Sequence, residues 1–413
     1  MNCIDLFSGA GGLTEGFVRA GYNIIAHIEK EYPASLTLKT RIAYHYLKEN
    51  NQLDLYYSYI NSEISREELY SYIPEKLLNS VINMEINDET LNDIYKQIDI
   101  LKGDKSIDII IGGPPCQAYS LIGRAASKTK MVGDTRKYLY KHYLKFLERY
   151  NPKIFVFENV RGMLSSKDEN GDKIFDKIIK EMGMLGYKIE YRLLDAKDFG
   201  VPQSRKRVII IGWKENLNFQ YPNFETVKND ININELFSDL PRLTAGDKID
   251  SFQLIANNNT LEKLHIKDDN SNIISQHISR PNNKKDLQIY KIAVKMLNSE
   301  KKLNYAVLPK DLISHNNLNS FLDRFKVVNG KGISHTLVAH ISKDGHHYIH
   351  PDITQNRSIS VREAARIQTF PDSFYFENSR TAAFTQIGNA VPPLMAEIIA
   401  SKLKIINFKK VLK

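Results

Sequence analysis

The chain has 413 residues, of which 42% are hydrophobic and 25% charged, with a formal net charge of +9 and a pI near 9.1. This length buries a large core, the composition is that of a soluble globular protein, and the basic balance favours a polyanionic partner. No apolar stretch approaches a membrane span and no signal-like core opens the chain, so a cytoplasmic protein is expected; two cysteines, Cys3 and Cys116, exclude a disulfide framework and a cysteine-based zinc site.

In chain order, Cys3 to Phe7 reads as a first strand, Gly11 to Ala20 as a helix stopped by Gly21, and Asn23 to Ile28 as a second strand. Residues 31–101 are polar and mainly helical, with a further strand at Val81 to Ile86. Ile107 to Gly113 is short, β-branched and bounded by glycines, the mark of a strand buried on both faces, and Pro114-Pro115 ends it. The polar stretch from Gly123 to Lys137 reads as a loop, followed by a helix from Tyr138 to Tyr150 and a strand from Ile154 to Phe157. Phe175, Ile178, Ile179, Met182 and Leu185 share one helix face, with Gly186 as its C-terminal stop. Strands follow at Tyr187 to Leu194 and Val208 to Gly212. This rhythm predicts a doubly wound α/β sheet. It stops near Trp213, and residues 214–334, rich in Asn, Asp, Lys and Ser, read as irregular or short-stranded. Ser360-Val361-Arg362-Glu363 predicts a capping box for a helix ended by Pro371, and a last helix spans Pro392 to Leu403.

Three features carry chemistry. The turn Asp5 to Leu13, with glycines at positions 9, 11 and 12, lets backbone approach a nucleotide-like ligand, and Glu29 ends the second strand where an acid can bind ribose hydroxyls. Cys116 follows the carboxyl end of a buried strand, where α/β enzymes place their reactive groups. Glu158 follows the apolar run Ile154 to Phe157, so burial is expected to favour its protonated form, and Arg205 and Arg207 alternate around Lys206 on one face. His335, His340, His346, His347 and His350 are not expected to hold a metal.

In the segments Asp5 to Leu13, Gly113 to Ser120, Phe157 to Gly162, Gln203 to Val208, Arg357 to Pro371 and Gln386 to Pro393, taken in this order, the chain resembles the C5-cytosine DNA methyltransferases. The resemblance implies a Rossmann-like S-adenosylmethionine-dependent methyltransferase sheet with a second, smaller, irregular target-recognition domain. It divides the chain into a catalytic and cofactor domain at 1–213, a recognition domain at 214–345, and a segment at 346–413 that returns to the catalytic domain. Cys116 matches the nucleophile that adds to C6 of cytosine, Glu158 the group that relieves charge at N3, and Arg205 and Arg207 the arginines around the base. Phe7, Gly9, Gly11, Glu29, Pro115 and Asn389 match the cofactor site. Glu85 and Ile86 stand where the family has an Asp-Ile pair, and Lys30 where it commonly has Trp, so the adenine contact departs from the pattern. Double-stranded DNA is the implied partner of a monomeric, metal-free bacterial enzyme associated with the nucleoid. The loop residues Arg124, Lys128, Lys130 and Arg136 are expected on phosphates once the base is flipped. A transfer-RNA cytosine methyltransferase and a DNA-binding module without catalysis are the competing readings.

Overall fold

The computed structural model describes residues 1–115, 139–228, 230–253, 259–267, 269, 273–314 and 318–404. One sheet of seven strands organises it, built from β1 (Asn2–Leu6), β2 (Asn23–Ile28), β3 (Val81–Ile82), β4 (Ile109–Gly112), β5 (Ile154–Val160), β6 (Tyr187–Asp195) and β7 (Lys206–Lys214). Their spatial order is β3-β2-β1-β4-β5-β7-β6. The pairs among β1 to β5 are parallel, whereas β7 runs antiparallel to both β5 and β6. The chain builds outward from β1 to β3, then returns to the centre at β4 and builds the other way. Loops leaving β1 and β4 therefore diverge, which opens a crevice at the carboxyl edge of the sheet. Because β7 is reversed, its amino end reaches that same edge.

Alternation along the strands sends successive side chains to opposite faces, and each face has its own core. Cys3, Ile109, Ile111, Ile154, Val156, Ile209 and Ile211 pack on one side with α1 (Gly12–Arg19) and the C-terminal helices. Ile4, Leu6, Ile110, Phe155, Phe157 and Ile210 pack on the other. That second face is covered by α6 (Leu91–Lys102), α7 (Leu139–Tyr150) and α8 (Ile174–Met184). Between β2 and β3 lie α2 (Tyr32–Glu49), α3 (Leu53–Ile60), α4 (Arg66–Ser71) and α5 (Glu75–Leu78), with a tyrosine-rich core of Tyr44, Tyr56 and Tyr57.

After β7 come α9 (Ile233–Leu236), the antiparallel pair β8 (Lys248–Gln253) and β9 (Ile273–Ile278), α10 (Asn259–Lys263) and α11 (Lys284–Asn298). Leu236, Phe237 and Ile274 join the first core of the sheet, whereas Ile289, Tyr290, Tyr305, Phe325 and Ile349 close a core of their own. The chain then returns through α12 (Val361–Ile367), α13 (Arg380–Asn389) and α14 (Pro393–Lys404). Helix α14 lies against α1: Tyr22 Oη donates to Ala400 O at 3.1 Å and Lys404 Nζ to Ala20 O at 2.8 Å.

Several boundaries differ from the sequence reading, each for a local reason. Strand β3 stops at Ile82 because the Asn83 amide turns back to donate to Glu29 O at 2.8 Å and Lys30 O at 3.0 Å. The helix after Ser360 has the expected capping box but ends at Ile367, ahead of Pro371. Thr369, at φ 61°, forms a left-handed stop in which its N–H reaches Arg366 O and that of Phe370 reaches Ala365 O. Helix α11 has no counterpart in the sequence reading of that region as irregular.

Candidate active site

The first wall of the crevice is the turn after β1. Phe7, Gly9 and Gly11 all have positive φ, at 57°, 55° and 84°. At Gly11 a Cβ would come within 2.7 Å of the Leu38 side chain, whereas at Gly9 it would meet nothing within 4 Å. The backbone thus bends tightly while its outer side stays open to a ligand. Glu29, at the end of β2, is fixed against this turn: Gly9 N–H donates to Oε2 and Glu31 N–H to Oε1, each at 2.7 Å. Burial raises the pKa of its carboxyl group and these two donors oppose the rise. Beneath the turn, Asp5 accepts from the Thr14 hydroxyl, and burial pushes its pKa up to about 7.

Glu85 and Ile86, one strand further out, divide. Ile86 is buried in the core, while Glu85 is exposed and ion-paired with Lys30 at 3.2 Å. The two positions that depart from the resemblance are thus paired with each other.

The second wall is built by β4, β5 and β7. Glu158 lies opposite Ile209, so Arg207 is its diagonal cross-strand neighbour on the same face. Arg207 Nε donates to Glu158 Oε1 at 2.7 Å, and its Nη1 donates to Lys206 O at 2.9 Å. The expectation of a carboxyl group kept protonated by its apolar strand did not include this ion pair. Gly113 packs directly on Glu158, since a Cβ there would fall 2.6 Å from Oε2 and 2.7 Å from the backbone oxygen. Asn159, which the sequence reading passed over, donates from Nδ2 to Pro114 O at 3.1 Å and ties the turn after β4 to β5. Pro115 is half-buried at the end of that turn. Cys116 and the basic positions Arg124, Lys128, Lys130 and Arg136 lie outside the described residues.

Arg205 is placed differently from Arg207. Its side chain is fully buried, with Nη1 donating to Leu337 O and Nη2 to Gly388 O at 3.1 Å and Asn389 O at 3.4 Å. The structure therefore brings Glu158 and Arg207 together, whereas Arg205 reaches the carbonyls of Leu337 and of the returning segment. Asn389, the last residue of α13, has an exposed side chain. Gln203 Oε1 accepts from Leu337 N–H at 2.7 Å, which adds a second link between Leu337 and the residues just ahead of β7. Among the described residues, no group of three or more His, Cys, Asp or Glu side chains is arranged to hold a metal. His335 instead bonds His347 O at 2.6 Å, and His346 bonds the Tyr290 hydroxyl at 2.9 Å.

A model of the C-5 cytosine-specific DNA methylase family matches residues 1–62 and 58–405. The chain belongs to this family. It is 42% identical to the type II methyltransferase M.Bpa9945I of Bacillus paralicheniformis, over 98% of each protein. It is 31% identical to the type II methyltransferase M.DdeI of Desulfomicrobium norvegicum, over 98% of this chain and 88% of that one. A prophage-encoded protein of E. coli, described as a DNA modification methyltransferase, superposes with a TM-score of 0.61 at 25% identity, covering 98% of this chain and 99% of that one. The Dnmt2 methyltransferase of S. pombe shares the fold, at a TM-score of 0.52 and 16% identity. Family membership makes the chain a DNA cytosine-5 methyltransferase, an enzyme on a Rossmann-like sheet, as the sequence resemblance implied. No helix among the described residues is long and apolar enough to cross a membrane.

Proposed function

We propose that this chain moves a methyl group from S-adenosylmethionine to C5 of a cytosine swung out of a specific duplex DNA sequence, as the modifying half of a restriction-modification system. The observation that carries the reading is the Glu158–Arg207 pair, held against Gly113 three residues before Cys116. The fit of the cofactor rests on the Gly9 turn, open on its outer side, with an oriented carboxylate beside it. Phe7, Gly9 and Gly11 would border the methionine and adenosine parts, Glu29 the ribose, Glu85 and Ile86 the adenine, and Pro115 and Asn389 the remaining sides. Bound there, S-adenosylmethionine supplies an electrophilic sulfonium methyl.

The chain's own residues meet the other needs of the reaction. C5 of cytosine is a weak nucleophile, and addition of the Cys116 thiolate to C6 makes it enamine-like. The negative charge that addition places on the ring is relieved at N3 by Glu158, which gives up a hydrogen bond or proton there. Arg207 fixes the Glu158 carboxyl group, and its planar guanidinium would at the same time hold O2 of the base, a task that Lys cannot reproduce. Arg205 acts as a positioning residue that sets the amino end of β7. After methyl transfer the C5 proton leaves to water and the C6–sulfur bond breaks, which restores the thiolate and the aromatic ring. The base must first leave the stack, at a cost of a few kcal/mol.

In this reading 1–213 is the catalytic and cofactor domain, 214–345 recognises the target and 346–413 returns to the first. The enzyme works as a monomer on DNA in the bacterial cytoplasm, at the nucleoid. The Cys116→Ser variant is expected to lose methylation while it retains cofactor binding, measured with labelled cofactor and by calorimetry. Label entering transfer RNA and not duplex DNA overturns the reading, as does the absence of a covalent adduct with 5-fluorocytosine DNA. Base-resolution mapping of plasmid methylation then supplies the target sequence.

A further inference from the structure

Residues 284–326 contain nine Lys or Arg and four Asp or Glu, so this short stretch holds +5 of the chain's formal +9. It packs around its own core of Ile289, Tyr290, Tyr305 and Phe325, yet leaves Val307 69% and Phe321 67% exposed. The two lie on neighbouring turns, since Tyr305 N–H donates to Leu322 O at 2.8 Å.

Phe321 has φ 55°, a left-handed conformation that a bulky side chain rarely adopts. Arg324 holds it there: Nε donates to Phe321 O at 3.0 Å, Nη2 donates to Ser320 O at 3.2 Å, and the guanidinium covers the Tyr305 ring at 4.1 Å. Asn or Gly would make this turn without strain, and among the described residues no contact calls for an outward aromatic ring. Strain and exposed apolar surface of this kind point to a contact outside the molecule.

Lys326 supplies an independent sign. It is half-buried, and the charges that act on it are those of Lys302 and Asp323, while it acts in turn on His335 and His347. Burial lowers the pKa of the Lys326 ammonium and of both imidazoles, so the rings are neutral and the positive charge at this half-buried place is that of Lys326, with Lys302 acting on it and Asp323 opposing. From this lobe the chain runs through Val327 and Val328 to Ser334, which bridges to Gln203, two residues before Arg205. The lobe is thus joined directly to the edge of the sheet that carries Glu158 and Arg207.

We infer that this lobe grips duplex DNA beside the flipped base, with Lys302 and Lys326 on a backbone phosphate and Phe321, flanked by Val307, wedged into a groove. The inference rests on the proposed function and names a surface for it. Aromatic wedges of this kind partly unstack a base step, and each phosphate contact steepens the salt dependence of binding by about 0.9.

The test is fluorescence anisotropy with a labelled duplex carrying the mapped target, at several salt concentrations, using Phe321→Ala and Lys302→Gln. Both substitutions are at exposed positions, and thermal melting with calorimetry of S-adenosylhomocysteine binding checks that fold and cofactor site persist. Phe321→Ala is expected to weaken DNA binding about tenfold or more, and Lys302→Gln to lower the salt slope by about one. Wild-type affinity and slope in both variants overturn the inference while leaving methylation by the parent enzyme, and so the proposed function, intact. Loss of self-association in Phe321→Ala with unchanged DNA affinity also overturns it, since the ring would then cover a second copy of the chain. Failure of the parent enzyme to methylate DNA strikes the proposed function instead.

Discussion

At the scale of single residues, the site depends on how closely Gly113 lies against Glu158. A methyl group at position 113 would stand 2.6 Å from Oε2, with backbone behind it, so the carboxyl group must yield. Gly113→Ala is expected to lower kcat at least tenfold and leave the KM for the cofactor unchanged, a split that steady-state kinetics resolves. Glu158→Gln preserves shape but cannot donate a proton, and should slow methyl transfer by about a hundredfold or more while DNA affinity, read by anisotropy, stays within a few-fold. A pure affinity defect would contradict the role given to Glu158. The spacing of Arg205 and Arg207 predicts a shared strand face, but Arg205 precedes β7 and its side chain lies under a layer of other chain, which spacing could not show. That difference arises from Leu337 and Gly388, more than 130 positions away in sequence. Asn159 was hidden for a similar reason, since its partner is a carbonyl on another strand.

Among the elements, those stabilised by their own periodicity were legible. Strand β2 was read to its ends, and the capping box at Ser360 was visible as a local pattern. That cap does more than its pattern implies, because Ser360 Oγ accepts from Glu363 N–H at 3.1 Å and also meets His277 Nδ1 of β9 at 2.9 Å. His277 Nε2 lies 2.8 Å from Pro241 O and donates to it, which leaves Nδ1 to accept from the serine hydroxyl. Ser360→Ala should therefore remove a cap and orphan a buried imidazole nitrogen together, a loss of about 1–3 kcal/mol, seen as a lower urea midpoint. An unchanged midpoint would show that neither bond matters. Helix α11 was missed although Asn283 caps Asp286 N–H at 2.8 Å and Leu287, Tyr290, Val294 and Leu297 follow at helical spacing. The surrounding Asn and Lys masked a signal that was present. The stop at Thr369 was not legible, since a β-branched residue at φ 61° contradicts local preference and is held by its surroundings.

For the whole molecule, stability should respond to pH through two buried groups under the cofactor turn. Burial holds the pKa of His27 down at about 4 against an ordinary 6.5. Below pH 6.5 the unfolded chain takes up a proton that the native one refuses, so the contribution of His27 is complete above 6.5 and drains away as pH falls to 4. Asp5 has the opposite sign: its pKa near 7 lies above the ordinary 3.8, so its contribution is complete below 3.8 and is lost as pH rises to 7. Relative to the parent, His27→Gln is expected to gain stability progressively from pH 6.5 down to 4, measured as the difference in urea midpoint. A difference that does not vary with pH would refute the assignment.

The pairing of α14 with α1 ties the last helix among the described residues to the first. Until Ala396 and Ala400 emerge from the ribosome, a nascent chain holds its glycine turn on a helix with one side bare. Polypeptides cut short by a premature stop codon just after Pro393 carry every sequence motif of the crevice on an unfinished floor.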